Sequence, residues 1–549
     1  MKFGLLFRTV RHLRWRQVFW QVMSRVRKVK YVCMEAPVHG ACRLRAVPIP
    51  RYVCRDGERF CFLNVEDVFH GWNDTSHGML WAYNLNYFDF LNQGNCQGSR
   101  VKGQETDFSR ESRVEGQETD FSQESRVESQ GVYWIDRFIG GIGENRIGLD
   151  AYPTALRCIN WVKFFCRFPE CATKVREDSL YSQLVLLSRK PEYHLLGNHL
   201  LEDAYSLYFC SAYFEDERLL SKARKLLFGE LAEQVLPDGA HYEQSAMYHC
   251  ILLDRLLDCY NMALSRGLAA DANVLRGYAV RMLGHLESIV YVNGDIPLMN
   301  DAARGIAPEA SAIFDYGKRL GLEWSAIPLN ECGYRKLSDG DFEVLIDAGE
   351  IAASYQPGHS HADVLNYELR IGGVPVVVDT GISTYDKCPR RQYERSGAAH
   401  NVVTVCSRSS AEVWGGFRVG YRYSCKPVGE NSWEVCGYGD GTKVRRTFSL
   451  AAGVFCVEDS TDSNEECISF IHVKGQGSRV ESQETDFSQG SRDEGQETVV
   501  VLDSGRRIEI WGATKVEIKG ERTSQEYNIF EEIDVIELHF VKGVRYKIL

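Results

Sequence analysis

The sequence predicts two domains of different class: a helical domain of the α/α barrel or toroid type, then a β-rich domain of the sandwich type. Three observations predict this. At 549 residues the chain is longer than one core ordinarily serves. From about Tyr133 to Leu322, apolar residues recur at helical spacing, and the connecting loops are polar and carry aromatics. After Leu322 the pattern becomes short β-branched runs separated by Gly, Asp and Ser turns. The period changes near Glu323 to Lys336, which assigns residues 61–330 to the helical domain and residues 335–549 to the β domain.

Residues 1–60 form a separate basic segment. Met1 to Lys30 carries nine Lys or Arg and no acid. It lacks the continuous apolar core and small-residue cleavage site of a signal peptide. No apolar run approaches the roughly 20 residues needed to span a bilayer. Leu5, Phe7, Val18, Phe19, Trp20 and Val22 would line one side of a basic amphipathic helix. Such a helix either rests on an anionic membrane surface or packs on the body of the protein.

Residues 60–95 alternate aromatics with small polar residues. A thirteen-residue unit then repeats, GQETDFSRESRVE at Gly103–Glu115 and GQETDFSQESRVE at Gly116–Glu128, and returns as SQETDFSQGSRDE at Ser482–Glu494. Nearly free of aliphatics, these units cannot bury a core and are expected to be disordered insertions, spanning 97–130 and 475–498, in surface loops.

In the helical part, Tyr152-Pro153 opens a helix with proline at its first position. A second helix follows from His194 to Phe209, where Asn198 is placed to cap and His199 and Glu202 share a face. Leu219–Val235 and Ile251–Ala263 are further helices. In the β part, the expected strands are Phe342–Gly349, Val374–Asp379, Asn401–Cys406, Phe448–Glu458, Val499–Leu502, Arg507–Trp511, Thr514–Ile518 and Ile533–Phe540.

Composition excludes some functions. The net charge of −11 argues against general nucleic-acid binding. The eighteen cysteines are scattered without a C-x-x-C pair, as expected of buried, reduced thiols. The richest chemistry lies between Tyr355 and Asn401, which hold His359, His361 and His400 together with Asp379. In a strand, His359 and His361 would project from one face. His361, Asp379 and His400 supply two imidazoles and a carboxylate, an acceptable zinc shell with one place left open. The spacing also suits ordinary surface and core histidines.

Seven segments, in order, carry a resemblance: GENRIGLDAYPTALRCINW, GNHLLED, EQVLPDGAHYEQSAMYH, NGDIPLMNDAA, PGHSHADVLNYEL, VVDTGISTY and ERSGAAHN. Together the chain resembles the heparinase II/III family of polysaccharide lyases, which includes alginate and oligoalginate lyases. The resemblance covers about Tyr133 to Phe417. It implies a multidomain α+β fold, an N-terminal α/α toroid (an incomplete barrel) followed by a C-terminal antiparallel β-sandwich. It also implies β-elimination on a polysaccharide containing uronic acid. A base removes the proton at C5, donors on the carboxylate stabilise the developing anion, and an acid protonates the leaving oxygen at C4.

By the same resemblance, Asn198 and His199 neutralise the carboxylate, and Tyr248 is the general acid and a candidate base. His359 is the partner base, a charge-stabilising group or a further metal ligand. His361, Asp379 and His400 hold a structural zinc (calcium being the other candidate) close to the cleft. Glu202, Arg157 and Arg395 are candidate substrate-binding residues, with Arg391 beside them. Asp295 and Asp301 are read as turn and capping residues. Where the family often has proline after the serine of the tyrosine motif this chain has Ala246, and Gly397 stands near the place of a threonine; neither change removes a reacting group. The family implies the periplasm or cell envelope, the missing signal peptide the cytoplasm. Two other functions stay open: a non-catalytic protein binding acidic glycans in an exopolysaccharide pathway, and a glycoside hydrolase on the same toroid. The expected partner is an acidic polysaccharide, with no nucleic acid.

Overall fold

The computed structural model describes residues 2–50, 54–92, 120–481 and 497–549. The first and last repeat units and the start of the second lie outside them. Helices dominate up to Arg319, and antiparallel strands follow from Tyr334. The chain is thus an α/α toroid followed by a β-sandwich.

Burial separates the toroid helices into two rings. Ala151–Arg167, Gly197–Tyr213 and Ala246–Ser265 are buried almost all round, as an inner ring requires. Lys174–Arg189, Glu217–Gln234 and Ala269–Ile289 alternate with them and bury only part of their surface. Trp81, Trp134 and Trp161 are buried in the shared core with Leu156, Leu201 and Leu253. Two helix starts are capped by side chains: Asp216 accepts from Leu219 N–H and Ser245 from Tyr248 N–H.

Some expectations need correction. Pro153 is the third residue of its helix rather than the first. Asn198 caps nothing: it lies in the first turn of Gly197–Tyr213, and Leu196 occupies the cap position. Asp120–Gly141 is a helix that includes the end of the second repeat unit, where a loop insertion was expected. The repeat is polar, but its tail runs into Val132, Trp134, Ile135 and Phe138, which pack on the toroid core.

Two antiparallel sheets build the sandwich. One runs in the order Ser424–Gly429, Ser432–Gly437, Thr442–Ala451, Val454–Thr461, Gly543–Ile548, Arg507–Trp511, Thr498–Val501, Arg479–Glu481. The other runs Lys515–Glu526, Ile529–Phe540, Cys467–Lys474, Val374–Val377, Asn366–Ile371, Phe342–Asp347, Tyr334–Asp339, with Val403–Val405 paired on Cys467–Lys474. The expected single strand Phe448–Glu458 is the turn of a hairpin, because Ala452 and Gly453 take positive φ. Alternating burial along Thr442–Ala451 turns Val444, Arg446 and Phe448 inward. Arg446 is buried and bonded to both Asp459 oxygens, at 2.6 and 2.8 Å. Sixteen cysteines, those whose side chains are described, are free thiols.

Polar ties lock the domains together. Tyr334 Oη donates to the Gln244 carbonyl (2.6 Å), Asn300 Nδ2 to Asp347 (3.1 Å) and Tyr291 Oη to Glu368 (3.0 Å). These bonds fix the sandwich loops against one end of the toroid.

Candidate active site

At that end, three inner helices begin. Tyr152, His199 and Tyr248 each lie in the first turn of one of them. Helix N-termini carry partial positive charge and free N–H groups, so this end of the toroid favours an anion. Gly197 opens the second of these helices at φ +62°, where a Cβ would collide with Glu243 Oε1. The close approach lets Glu243 accept from the Asn198 backbone N–H (2.9 Å) and from Asn198 Nδ2 (2.8 Å).

The Asn198 amide is oriented by this carboxylate, since only its nitrogen can face Glu243. The same nitrogen lies 3.1 Å from His359 Nε2. His359 Nδ1 lies 2.8 Å from Asp301 Oδ2. The ring therefore donates from Nδ1 to Asp301 and accepts at Nε2 from Asn198, which leaves Nε2 as the basic atom. The Tyr248 ring packs over His359 with centroids 4.0 Å apart. Its hydroxyl meets that of Tyr385 at 3.1 Å. Burial pushes the Tyr248 phenol up, and nearby Asp301 and Glu243 add to this, so it is held protonated.

Asp301 organises the site. Fully buried, it accepts from His359 at Oδ2 and from His361 Nε2 at Oδ1, both at 2.8 Å. Arg391 adds bonds of 2.5 and 2.7 Å to its two oxygens. Burial opposes the charge of this carboxylate, but Arg391 and the two histidines hold it well below the ordinary range. Ser245 Oγ donates to the Asp301 carbonyl at 2.6 Å while capping the helix of Tyr248. Asp301 lies in a turn, as expected, but its carboxylate also binds three side chains of the second domain. The segment carrying His359 and His361 is a loop and not a strand. The two rings come together on one carboxylate instead of on one sheet face.

His199 stands at the edge of the cleft, partly exposed. Its Nδ1 lies 2.9 Å from Glu192 Oε2, and its ring packs on Tyr152 (4.8 Å), which packs on Tyr87 (5.9 Å). Burial opposes a charged ring here, but Glu192 outweighs it and raises the His199 pKa above the ordinary value.

Three expected substrate-binding residues are placed elsewhere. Arg157 is buried in the toroid, bonded to Gln183 (2.6 Å), the Asn86 carbonyl (3.0 Å) and Thr154 (3.3 Å), and lies over Phe138. Glu202 is buried and paired with Arg255 at 3.5 Å. Arg395 is buried behind the histidine loop, donating to the Ser360 carbonyl at 2.7 Å, and burial with nearby Arg391 lowers it to about 9. None has a surface left for a sugar.

Beside the cleft, His361 Nδ1 and His400 Nε2 face each other at 3.3 Å. A carboxylate oxygen of Asp363 lies with one nitrogen of each ring, all within 4.8 Å of one another, so the three could hold a metal ion. Asp379, expected among the ligands, sits behind His400: it accepts from His400 Nδ1 (2.7 Å), Asn366 Nδ2 (2.6 Å) and Gly381 N–H (2.8 Å). Burial lowers His361 to about 3, whereas Asp379 raises His400 against its burial. A second group, Asp238, His285 and Cys332, lies at the domain boundary, but there the Asp238 carboxylate accepts the backbone N–H groups of Asn330 and Cys332.

Sequence reasoning missed Glu192, Glu243, Asp301, Asp363 and Tyr385 as site residues. Each except Glu192 lies inside a motif quoted above.

Comparison with known proteins identifies the family. The heparinase II/III N-terminus description matches residues 158–310, and the heparinase II/III-like C-terminal description matches residues 323–539. A crystal structure of heparinase III is 15% identical, with 76% of this chain and 72% of that one covered and a TM-score of 0.58. A mutant of the heparan sulfate lyase HepC from Pedobacter heparinus is 14% identical, with 97% and 87% covered and a TM-score of 0.57. At such identities the likeness is one of fold. Searched against curated proteins, the sequence finds no match. With both domains matched across most of its length, the chain belongs to the heparinase II/III family of polysaccharide lyases.

Proposed function

We propose that this protein cleaves a uronic-acid-containing polysaccharide by β-elimination. The observation that carries the reading is the meeting of Asn198, Tyr248 and His359 in one crevice, at 3.1 Å from amide to imidazole and 4.0 Å between the rings.

Each group fits one part of the reaction. His359 Nε2, left unprotonated by the Asp301 bond at Nδ1, takes the C5 proton. The electron pair left at C5 delocalises onto the carboxylate, where the Asn198 amide and a protonated His199 offset the charge. Once Nε2 is protonated it no longer accepts the Asn198 N–H, which is released toward the carboxylate. The anion collapses to a C4=C5 double bond and breaks the bond from C4 to the glycosidic oxygen. Tyr248, held as a neutral phenol, gives its proton to that oxygen, and Tyr385 Oη at 3.1 Å stabilises the phenolate left behind. A proton passing from His359 to Tyr248 through solvent restores the site. The three helix starts favour the polyanion before chemistry begins.

A zinc ion fits His361 and His400 with Asp363. Two nitrogens at about 2.0–2.1 Å from a tetrahedral zinc stand roughly 3.3 Å apart, the separation of the two facing nitrogens here. Each ring binds a carboxylate through its other nitrogen, Asp301 for His361 and Asp379 for His400, the usual support for metal-bound imidazoles. Nitrogen donors favour zinc over calcium. When bound, the ion would supply a fixed positive charge that holds the His361 loop, and with it His359, in register with the toroid.

The test is a screen of heparan sulfate, hyaluronan, alginate and bacterial exopolysaccharides for products with the ultraviolet absorbance of an unsaturated uronate. Appearance of that absorbance with at least one polymer is expected. New reducing ends without it would mean hydrolysis, and binding without any product would mean a non-catalytic glycan-binding protein.

A further inference from the structure

The second helix of the chain, Trp15–Val26, is turned inside out. Its large apolar residues Trp15, Val18, Phe19, Val22 and Val26 follow one another at helical spacing along one face, and all are exposed, from 45% at Val18 to 80% at Trp15. The opposite, polar face packs on the protein. Gln17 is buried there, with Nε2 donating to the carbonyls of Leu195 (3.3 Å) and Tyr355 (3.2 Å). Gln21 donates to the His194 carbonyl at 3.3 Å, and Trp20 stacks on Tyr193 at 5.1 Å. Arg14 pairs with Glu233 at 2.5 Å and lies over the Tyr355 ring. The preceding helix, Lys2–Val10, repeats the arrangement. Arg8 fastens it to Glu412 through bonds of 2.9 and 2.8 Å, while Leu6, Phe7 and Val10 are exposed.

Folding would normally bury such a stripe, since apolar surface left in water is unfavourable. Here the anchoring bonds hold it outward. Charge identifies what covers it. Arg11, Arg25, Arg27, Lys28 and Lys30 are exposed around the stripe, on a segment without a single acid in a chain of net charge −11. Aromatic and aliphatic residues flanked by Arg and Lys match the acyl-headgroup boundary of an anionic bilayer. A second copy fits poorly, because a two-fold contact would set the basic patch against itself. A soluble uronate chain would satisfy the charges and leave the stripe in water.

We propose that the exposed face of residues 6–26 docks the protein on an anionic membrane surface without crossing it; no helix among the described residues is long and apolar enough to span. The docking helix is tied to the segments that lead into the site. Gln17 holds the backbone at Leu195 and Tyr355, just ahead of Asn198 and His359 in sequence.

The test is co-sedimentation of the full-length protein with vesicles of phosphatidylcholine alone and of phosphatidylcholine with about one-third phosphatidylglycerol. Binding to the anionic vesicles is expected, with loss at high salt. Phe19→Glu with Val22→Glu, both at exposed positions, should weaken it roughly tenfold or more at an unchanged melting temperature. Arg25→Glu with Arg27→Glu should do the same. The proposal is overturned if the protein stays in the supernatant with anionic vesicles, or binds neutral vesicles equally well. It is also overturned if the apolar pair leaves binding intact. A sedimentation-velocity dimer abolished by Phe19→Glu with Val22→Glu, without vesicle binding, would make the face a contact between copies instead.

Discussion

His359 Nδ1 lies 2.8 Å from Asp301 Oδ2, and this bond decides which nitrogen of the ring faces the cleft. The same carboxylate holds His361 and Arg391, so one buried acid from the toroid's last long loop sets the geometry of three sandwich side chains. Asp301→Asn would let an amide donate toward Nδ1 and reverse the tautomer. Turnover should fall by about 10²–10⁴-fold, as for other catalytic histidines deprived of their orienting carboxylate. Arg391 would also lose a buried partner, so turnover is to be compared with the folded fraction measured by circular dichroism. Near-normal turnover of the folded variant would show that Asp301 does not position the base.

Glu192 and His199 give a pH dependence. The His199 pKa is raised by Glu192, so the charged ring is fully present below the ordinary histidine pKa of about 6.5 and is lost as pH rises through the higher folded value. Its support of the substrate carboxylate follows the same course. In Glu192→Gln the alkaline fall of kcat/KM should therefore move to lower pH. A profile unchanged by Glu192→Gln would remove His199 from charge neutralisation.

The metal site is tested by elemental analysis after exhaustive dialysis. About one zinc per chain is expected, and His361→Ala and Asp363→Ala should each abolish retention. Asp379→Asn should weaken affinity by about 10–100-fold, the effect of removing a carboxylate that supports a ligating histidine. If Asp379→Asn empties the site while Asp363→Ala leaves it full, the ligand carboxylate is Asp379.

Arg446 and Asp459 form a doubly bonded pair inside the sandwich, and Arg446 also donates to the Leu365 carbonyl at 3.0 Å. Asp459→Ala strands a buried cation and should destabilise the sandwich by about 3–5 kcal/mol. Urea unfolding followed by circular dichroism measures this, and a change below about 1 kcal/mol would contradict the buried-pair reading.

The fold class was legible because period is a long-range signal. Long helical spacing before Leu322 and short β-branched runs after it reflect inner helices buried all round and strands alternating across a sandwich. Single polar residues were less legible. Arg157, Glu202 and Arg395 looked like ligands for an acidic sugar, yet sequence cannot distinguish a charge satisfied inside a core from one facing a cleft. The converse error hid Asp301 and Glu243. Each lies in a turn with no local partner, and its role appears only when loops from both domains meet. His359 and His361 were expected on one strand face, but a loop delivers them to the two oxygens of Asp301.

The proposed function requires Asn198, Tyr248 and His359 to act together on a uronate. The most direct measurement is the rate of unsaturated product formation by the wild type, Tyr248→Phe and His359→Ala on one cleavable polymer, with exchange of the C5 proton into deuterated water followed in parallel. By the proposed mechanism, His359→Ala loses both cleavage and exchange, and Tyr248→Phe loses cleavage by about 10²–10⁴-fold while exchange persists. Cleavage undiminished in Tyr248→Phe, or exchange undiminished in His359→Ala, would contradict it.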